Sequence, residues 1–440
     1  MSKLRKQHMA IEWHDIINTK SDIPAKNASL QEKASLVGRV GLMMLSVGTA
    51  AWRVRASMNK ISRALGITCN ADIGLLSIEY TCISGSETYT NAISINTTGV
   101  NTDKLNELEH FADGFAERAE KYSVQQFHMI LDKFQDMKGN YKALSLGLAS
   151  AFACCAFTFL LGGGIIEMIC AFFGAGIGNF VRKKLLERHI TLFANVAAGV
   201  ASACCTYVIF IKLAELLMGV SAIHQAGYIC SMLFVIPGFP LITGGMDLAK
   251  LDLRSGLERI TYALLIIIVA TLTGWLCATL FHFYPQDFEA YELDPLLRTV
   301  FIMITSFCGV YGFSLMFNST KKMAATAGLI GMCANTLRLE LIDLAGVHVG
   351  LAAFIGALSA GLLASAIHHW IGYPRITLTV PSIVIMVPGM FMYKGVYYIV
   401  INDITTGAMW LTKAVLIVTA LPLGLIFARI LTDKNFRKSS

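Results

Sequence analysis

The sequence predicts an α-helical polytopic membrane protein, in which ten transmembrane helices form two inverted five-helix repeats behind a small soluble α+β domain. Three observations lead to this fold class. The 440 residues are 55% hydrophobic and only 15% charged, with a mean hydropathy of +0.60, whereas soluble proteins carry about 25% charged residues. A Pro-Gly stretch occurs twice in the apolar part of the chain, and basic residues gather in alternate connections between apolar segments.

Residues 1–140 predict a soluble cytoplasmic domain with nearly balanced acidic and basic residues. Residues 30–65 show helical periodicity, broken by glycines. Two further runs, Ile73–Tyr80 and Thr88–Ile95, predict a β-hairpin because they are separated by a short turn-forming segment. Thr102–Lys138 has a helical period and dense charge, which indicates one or two helices leading to the membrane.

From Ala143 onward, apolar segments of roughly the length that a bilayer requires follow one another closely. The predicted spans lie at 143–161, 163–181, 190–211, 226–246, 257–283, 296–317, 323–341, 345–369, 376–400 and 408–430. They divide into one membrane repeat over residues 141–290 and a second over residues 291–440. Because each repeat holds an odd number of spans, the second inserts upside down relative to the first, as in many secondary transporters.

The basic residues of the connections assign the orientation. They cluster on the side of the N-terminal domain and the C-terminal tail, which places both termini in the cytoplasm. The longest opposite connection, residues 282–295, has four acidic residues and no Lys or Arg: Asp287, Glu289, Glu292 and Asp294.

The repeated Pro-Gly stretch predicts the substrate site. Proline removes a backbone N–H and breaks a helix, and the adjacent glycine allows close approach of a ligand or another helix. Broken helices at matching positions of two halves mark transporter binding sites, and their N-termini suit a substrate carboxylate. The predicted substrate-binding residues of the two copies, which are offset by 151 positions, are Pro237, Gly238 and Gly244, then Pro388, Gly389 and Gly395.

Ionisable residues in or near the spans complete the predicted site, because such residues are costly in a membrane. Lys394 is predicted to pair with a substrate carboxylate, while Asp247 or Glu167 carries a coupling proton. The alternative for these residues is snorkelling to the membrane surface. Asp252 and Asp403 are assigned to coupling or gating, with capping of the following helices as the alternative.

Other classes of function lack their motifs. The 11 cysteines form no CxxC or Cys/His cluster with zinc spacing, so no metal site is predicted. No HExxH, GxSxG, Walker A or GxGxxG loop occurs, so the sequence predicts no cofactor and no catalytic residue. A net charge of +7 in short connections is too small for nucleic-acid binding.

The chain resembles the bacterial threonine/serine exporter family in its fused form, with a cytoplasmic domain ahead of ten spans. The resemblance rests on residues 41–48 followed by Arg53-Val54, on residues 64–66 and on the two Pro-Gly stretches. It implies export of a small carboxylate-bearing metabolite across the bacterial cytoplasmic membrane. Threonine and serine are the family's name substrates, and dicarboxylates such as succinate are the alternative.

Three kinds of function therefore compete. The first is a secondary exporter in the lipid bilayer, driven by the proton-motive force because no ATP-binding motif is present. The second is a membrane-embedded hydrolase that uses the soluble domain, for which Ser84, Ser86, His110 and His128 supply no evident nucleophile–base pair. The third is a channel or scaffold with a sensing domain. Homo-oligomerisation is left open by the sequence.

Overall fold

The computed structural model describes residues 11–17, 22–219, 224, 227–283, 288 and 293–437, which divide into two compact units. The first unit holds the residues up to Gly139 together with Met246–Arg259. The second holds Asn140–Gly245 and the residues from Ile260 onward. The connection Met246–Arg259 therefore folds with the N-terminal residues although it lies between two membrane helices in the sequence.

The N-terminal unit combines helices with a small antiparallel sheet of order β1-β2-β3. Its strands are β1 (Thr68–Ile73), β2 (Ser77–Ser84) and β3 (Glu87–Ser94). Its helices are α1 (Leu30–Ser46), α2 (Ala51–Ala64), α3 (Thr102–Asp113), α4 (Phe115–Ala119) and α5 (Val124–Gln135), with short 3-10 helices at Trp13–Ile16 and Ala25–Asn27.

The predicted hairpin is present as β2 and β3, which pair from Ser77↔Ser94 to Ser84↔Glu87. Gly85 in the turn has a φ of 60°, which glycine adopts without steric cost. The bounds of the first strand were wrong, because the predicted run began at Ile73 and crossed the connection between β1 and β2. Strand β1 itself was not predicted, because it contains Asn70 and Asp72, residue types that are depleted in strands.

Helix α1 packs against the sheet through a close contact at Gly38. The Tyr80 hydroxyl donates a hydrogen bond to the Ala34 carbonyl at 3.1 Å, and it lies where a Cβ on Gly38 would be. The helix starts with a capping box, in which Ser29 and Glu32 satisfy each other's backbone N–H groups. Glycine at position 38 is therefore required by the approach of the tyrosine ring.

The remaining helices run from residue 143 to residue 437. They are α6 (Ala143–Leu160), α7 (Ile165–Glu187), α8 (Leu192–Met218), α9 (Tyr228–Met232), α10 (Gly238–Ala249), α11 (Leu253–Phe281), α12 (Pro295–Met316), α13 (Lys321–Asp343), α14 (Val349–Ile371), α15 (Arg375–Ile383), α16 (Gly389–Val400), α17 (Ile404–Thr432) and α18 (Lys434–Arg437). Single 3-10 turns at Leu233–Val235 and Val384–Met386 end the helical segments that α9 and α15 begin.

These helices make the chain a multi-pass membrane protein. Among the described residues, seven helices are long and apolar enough to cross a membrane, and the number rises to nine if each of two bent pairs is one span. The predicted span at 323–341 forms helix α13, but its polar residues keep it out of that set. Ten spans therefore stay a prediction.

The membrane helices bury small residues and expose large ones. In α6, Ala149 and Ala153 are buried while Leu148 and Phe152 are exposed. A Cβ on Gly312 of α12 would lie 2.6 Å from the Ala149 carbonyl oxygen, so these two helices approach closely. Small residues at helix contacts and large apolar ones facing lipid are typical of membrane proteins.

The second helices of the two halves, α7 and α13, make matching contacts. The Asn179 amide donates to the Leu146 carbonyl in α6 at 2.9 Å, and the Asn335 amide donates to the Ser306 hydroxyl in α12 at 2.9 Å. In each case an asparagine of one membrane helix thus contacts the helix that precedes it in the chain.

Of the acidic residues predicted in the connection 282–295, Asp287, Glu289 and Glu292 lie outside the described residues. Asp294 is described and stands at the N-cap position of α12.

Candidate functional site

The two Pro-Gly stretches break two helices in the same way. A 3-10 turn precedes each proline, and a new helix begins at Gly238 or at Gly389. The helical segments meet at 55° at the first break and at 46° at the second. The N–H of each glycine donates to the carbonyl two residues earlier, at 2.8 Å in both copies. The bends follow from the missing proline N–H and the carbonyls it leaves without a helical partner.

The two breaks pack against each other reciprocally. A Cβ on Gly238 would lie 2.6 Å from Val384 Cγ2 and 3.2 Å from Val387 Cγ2. A Cβ on Gly389 would lie 3.1 Å from both Leu233 Cδ2 and Ile236 Cγ1, which occupy the equivalent positions of the other copy. Each glycine thus faces the turn before the other proline, as two copies related by a twofold axis would.

A cavity of ≈ 530 Å³ opens beside the second break, which is a normal size for a small-molecule site. Most of its wall is apolar or aromatic, and it carries three charged side chains. The lining residues are Phe159, Leu160, Leu161, Gly162, Gly163, Phe288, Leu293, Arg298, Ile302, Leu339, Asp343, Met390, Phe391, Lys394 and Trp410.

Lys394 is the most deeply placed charge of the cavity. The side chain projects from α16, one and a half turns beyond the break, and the residue is only 5% exposed. Its Nζ lies 4.8 Å from the ring centre of Trp410 in α17. The Lys413 Nζ lies 4.9 Å from the same ring, although Lys413 does not line the cavity. Of these two ammonium groups near one indole, the one of Lys394 lines the cavity and is available to an anion bound there.

An ion pair between α12 and α13 adds both signs of charge to the cavity wall. The Arg298 NH2 group lies 2.6 Å from the Asp343 carboxylate. These side chains are 43% and 30% exposed, so they lie nearer the opening than Lys394 does. The wall therefore offers a buried ammonium group, one guanidinium and one carboxylate.

The predicted substrate-binding residues divide into three groups. Pro237, Gly238, Pro388 and Gly389 form the two breaks, and the two glycines make the reciprocal contact. Lys394 lines the cavity. The other two residues are packing positions. Gly244 is buried in α10, and Gly395 of α16 contacts Leu411 of α17.

The predicted coupling residues are not brought together. Asp247 forms an ion pair with Arg259, at 3.1 Å, and Asp252 forms one with Arg55, at 2.7 Å, both within the N-terminal unit. Asp403 caps α17 by accepting the Thr406 N–H at 3.1 Å, which is the capping role the sequence left open.

Glu167 stands apart from the other three, in the first turn of α7. It is 4% exposed, and its Oε1 lies 2.6 Å from His224 Nδ1. Its Oε2 is buried without a hydrogen-bond partner among the described residues. A buried carboxyl next to an imidazole is suited to accept and release a proton.

Sequence reasoning missed Arg298, Asp343 and Trp410. The first two are separated by 45 positions and become neighbours only when α12 packs against α13. Charges at the ends of membrane helices are usually interfacial, so the pattern did not distinguish this pair. One signal for Trp410 was available in the sequence. It occupies the position in the second copy that the charged Arg259 occupies in the first, at the 151-residue offset.

The buried polar cluster of the N-terminal unit does not form a nucleophile–base pair. The Ser35 hydroxyl donates to the Glu32 carbonyl at 2.7 Å, so its oxygen accepts from His128 Nε2, 3.0 Å away. The Arg39 guanidinium donates to the other ring nitrogen. Burial, and then the Arg39 charge, lowers the pKa of His128 to about 3. An imidazole held in this tautomer cannot take the serine proton.

Within the described part of the chain, no group of three or more His, Cys, Asp or Glu side chains is placed to hold a metal ion. The chemistry available at the cavity is therefore that of charge, shape and hydrogen bonding.

Comparison with known proteins identifies relatives over both membrane halves. Residues 35–281 match the family described as "Putative threonine/serine exporter", and residues 302–431 match the family described as "Threonine/Serine exporter, ThrE". A Mycobacterium tuberculosis protein named "Probable threonine/serine exporter" is 23% identical over 408 residues, covering 90% of this chain and 75% of that protein.

Two shorter relatives match about half of the chain. Proteins of Klebsiella aerogenes and Escherichia coli K12, both named "Probable succinate transporter subunit YjjP", are 24% and 23% identical. Each match covers 53% of this chain, and 90% and 91% of the respective relative. No solved structure matches the chain significantly.

Proposed function

The chain belongs to the threonine/serine exporter family, a family of membrane transporters and not of enzymes, and on that premise we propose that it is a secondary exporter of a small carboxylate-bearing metabolite. Threonine or serine is the first candidate. The observation that carries the proposal is the cavity beside the second helix break, with Lys394 at its most buried point.

Electrostatics support a carboxylate as the cargo. A buried ammonium group attracts an anion strongly, because its surroundings screen the charge less than water does. A carboxylate about 4 Å from the ammonium gains about 4 kcal/mol at the effective dielectric constant near a protein surface. Lys394 is therefore the residue that binds the substrate carboxylate, and the apolar wall around it strengthens that attraction.

The ion pair at the cavity wall supports an amino acid. With its carboxylate on Lys394, a zwitterion can direct its ammonium group to Asp343, which retains acceptor capacity beyond its contact with Arg298. A dicarboxylate of the succinate type is the second candidate, favoured by the presence of Arg298 as a further cation in the same cavity. The two candidates thus use opposite members of one ion pair.

Alternating access follows from two inverted five-span repeats, with α13 as the seventh of ten spans. The reciprocal contact of the breaks and their matching backbone hydrogen bonds support a twofold relation between the halves. The basic connections support both termini in the cytoplasm and the bacterial cytoplasmic membrane as the site of action. A homo-oligomer is compatible with this arrangement.

The proton-motive force is the proposed energy source. Glu167 and His224 are the proposed proton carriers, because Glu167 is buried and keeps one oxygen without a partner. Asp403 acts by capping α17 in this scheme. Export coupled to proton entry predicts that a pH gradient of the correct sign accelerates substrate movement and that Glu167→Gln abolishes this acceleration.

The test is counterflow of labelled threonine in proteoliposomes that contain the full chain. Lys394→Met should lower exchange at least about thirtyfold, as loss of a buried charge partner does. Lys413→Met is the matched control, since it removes an ammonium near the same ring but outside the cavity lining, and it should retain exchange within about twofold. Equal loss in both variants, or none in either, overturns the assignment of the site.

Substrate class is tested with the ion pair. For an amino-acid exporter, Asp343→Asn abolishes threonine exchange. For a dicarboxylate exporter, Arg298→Gln abolishes succinate exchange, and threonine neither enters nor competes. The wild-type protein exchanging neither compound rejects both candidates.

A further inference from the structure

The strongest unassigned feature is the connection Met246–Arg259, which folds with the N-terminal unit. It comprises the last turn of α10, the helix that begins at the first break, and the first turns of α11. Its centre is an ion pair between Asp247 and Arg259, at 3.1 Å, with the two side chains 0% and 2% exposed. A fully buried ion pair is costly unless hydrogen bonds satisfy both charges. The groups that hydrogen-bond to Asp247 and Arg259 therefore show which segments the ion pair joins.

The Asp247 carboxylate caps a helix that lies almost 200 positions earlier. Its Oδ1 accepts the backbone N–H of Ala51, the first residue of α2, at 2.9 Å. The N-cap residue of that helix is Ala50, which has no side chain to cap it. A carboxylate at a helix N-terminus both pairs an open N–H and meets the positive end of the helix dipole. Asp247 thus supplies the cap that α2 lacks.

The rest of the buried network ties the same two parts together. The Ser255 hydroxyl donates to Asp247 Oδ2 at 2.9 Å. The Arg259 guanidinium donates to the carbonyls of Thr49, at 2.7 Å, and of Gly48, at 3.3 Å. The charges of this pair are therefore satisfied only when the connection and the segment between α1 and α2 are joined.

Less buried contacts join Met246–Arg259 to α2, to β1 and to the segment that follows β1. Arg55 holds Asp252 at 2.7 Å, and Arg254 holds the Asp72 carboxylate of β1. The Glu258 carboxylate accepts the Leu75 N–H at 2.5 Å.

The second half of the chain provides an internal comparison. Its equivalent turn has the same backbone: Leu251 and Asn402, at equivalent positions, have φ values of 63° and 66°. The carbonyl of residue 247 accepts the N–H of residue 252 at 3.0 Å, and the carbonyl of residue 398 accepts that of residue 403 at 2.9 Å. Tyr398 and Trp410 stand where the first half has Asp247 and Arg259. The repeated backbone therefore forms without the ion pair.

We propose that Asp247, Ser255 and Arg259 are positioning residues that fasten the last turn of α10 to the N-terminal domain, so that the domain sets the orientation of α10 beyond the Pro237–Gly238 break. Helix α10 has 12 residues, about 18 Å at 1.5 Å per residue, and one end is the break while the other carries Asp247. A rigid helix fastened at one end transmits the position of the domain to the break. The N-terminal domain then acts as the control element of the transport cycle.

The proposal gives Asp247 a role other than proton carriage, and the fastening itself does not depend on the identity of the substrate. The substrate cavity is lined by other residues, so loss of the fastening should change the maximal rate of exchange and leave the KM unchanged. Loss of folded protein alone would also lower the maximal rate at constant KM, so the rate is expressed per folded protein.

The experiment uses the full chain in lipid nanodiscs and in proteoliposomes. Asp247→Asn should raise amide exchange in residues 48–54 and 246–259 at least about tenfold, and change the maximal rate of counterflow at least about fivefold with KM constant. Asp403→Asn, in the equivalent turn of the second half, is the control and should leave exchange at 48–54 unchanged. Ser255→Ala removes one hydrogen bond and should act in the same direction with a smaller effect.

A double variant keeps the test valid if Asp247→Asn does not fold. Asp247→Leu with Arg259→Met replaces both charges by apolar groups, which leaves no buried charge unpaired. This double variant should fold, and residues 48–54 should still lose their protection from amide hydrogen exchange, because the cap on α2 is gone.

The outcomes separate the two proposals. If amide hydrogen exchange at residues 48–54 keeps its wild-type rate in both Asp247 variants, the fastening is wrong. Faster amide exchange with an unchanged maximal rate of counterflow overturns the control of α10 and leaves the transport function standing. Absence of counterflow in the wild-type protein rejects the transport function, while the amide exchange still decides the fastening.

Discussion

Replacing the glycine of the first break by alanine should destabilise the protein more than the same change at the second break. In Gly238→Ala the new methyl group would lie 2.6 Å from Val384 Cγ2, whereas carbon atoms pack at about 3.5–4.0 Å. In Gly389→Ala the nearest atoms, Leu233 Cδ2 at the end of a flexible side chain and Ile236 Cγ1, are both at 3.1 Å. Overpacking of the first kind costs about 1–3 kcal/mol, and the second contact can relax.

The packing partner provides the sharper test. Val384→Ala removes the methyl group that the new side chain would meet, so it should restore part of the stability lost in Gly238→Ala. Contacting residues couple by about 0.5–3 kcal/mol in such double-mutant cycles. Thermal unfolding of the detergent-solubilised protein should rank Gly389→Ala near wild type, the double variant lower, and Gly238→Ala lowest.

Counterflow should follow the same order, because the breaks must keep their mutual contact during transport. Equal melting temperatures for the two single variants would refute the tighter contact at Gly238. Strict additivity of Gly238→Ala and Val384→Ala would refute it as well, since it would mean that these residues do not meet.

Three further predictions concern stability. Leu251 has a φ of 63°, a conformation that costs a leucine about 1–2 kcal/mol and an asparagine less; Leu251→Asn, the residue type of the equivalent turn, should raise the melting temperature, and an unchanged value would argue against this backbone. Burial and the Arg39 charge lower the folded-state pKa of His128 to about 3, while an unfolded histidine titrates near 6.5. The unfolded state therefore binds more protons at acidic pH. The contribution of His128 to the free energy of unfolding should be fully present above about pH 6.5 and fall by up to about 2 kcal/mol at pH 5. Denaturant titrations should find this pH dependence absent in His128→Gln. Gly38→Ala should destabilise the N-terminal domain because its Cβ would meet the Tyr80 hydroxyl, and adding Tyr80→Phe should recover part of the loss in the same assay.

The membrane helices were predictable because their signal is local. Each is a run of apolar residues, and the predicted 143–161 and 296–317 became Ala143–Leu160 and Pro295–Met316. The breaks were predictable for the same reason, since the missing N–H of proline is a covalent property of the chain. Helix α13 shows the limit of this signal, because its polar residues are explained only by the neighbours they meet.

The composition of the cavity was not predictable, because its charges come from three separate helices. Arg298, Asp343 and Lys394 lie on α12, α13 and α16, and no short window of sequence contains two of them. Asp247 shows the same limit in another form. As a carboxylate near the end of a span it fitted proton coupling, and its ion pair with Arg259 and its contact with Ala51 depend on a segment far away in sequence.

The repeated backbone, combined with differing side chains, argues for one substrate site per chain. Lys394 and Trp410, which form the cationic corner of the cavity, stand at the positions that Thr243 and Arg259 occupy in the first half. Thr243 donates its hydroxyl to the Phe239 carbonyl at 3.0 Å, and Arg259 serves the N-terminal domain. The equivalent position therefore lines the cavity in α17, as Trp410, and holds residues 48 and 49 in α11, as Arg259. A single site of this kind predicts that counterflow depends on substrate concentration with a Hill coefficient of about one, whereas two equivalent sites would allow a larger value.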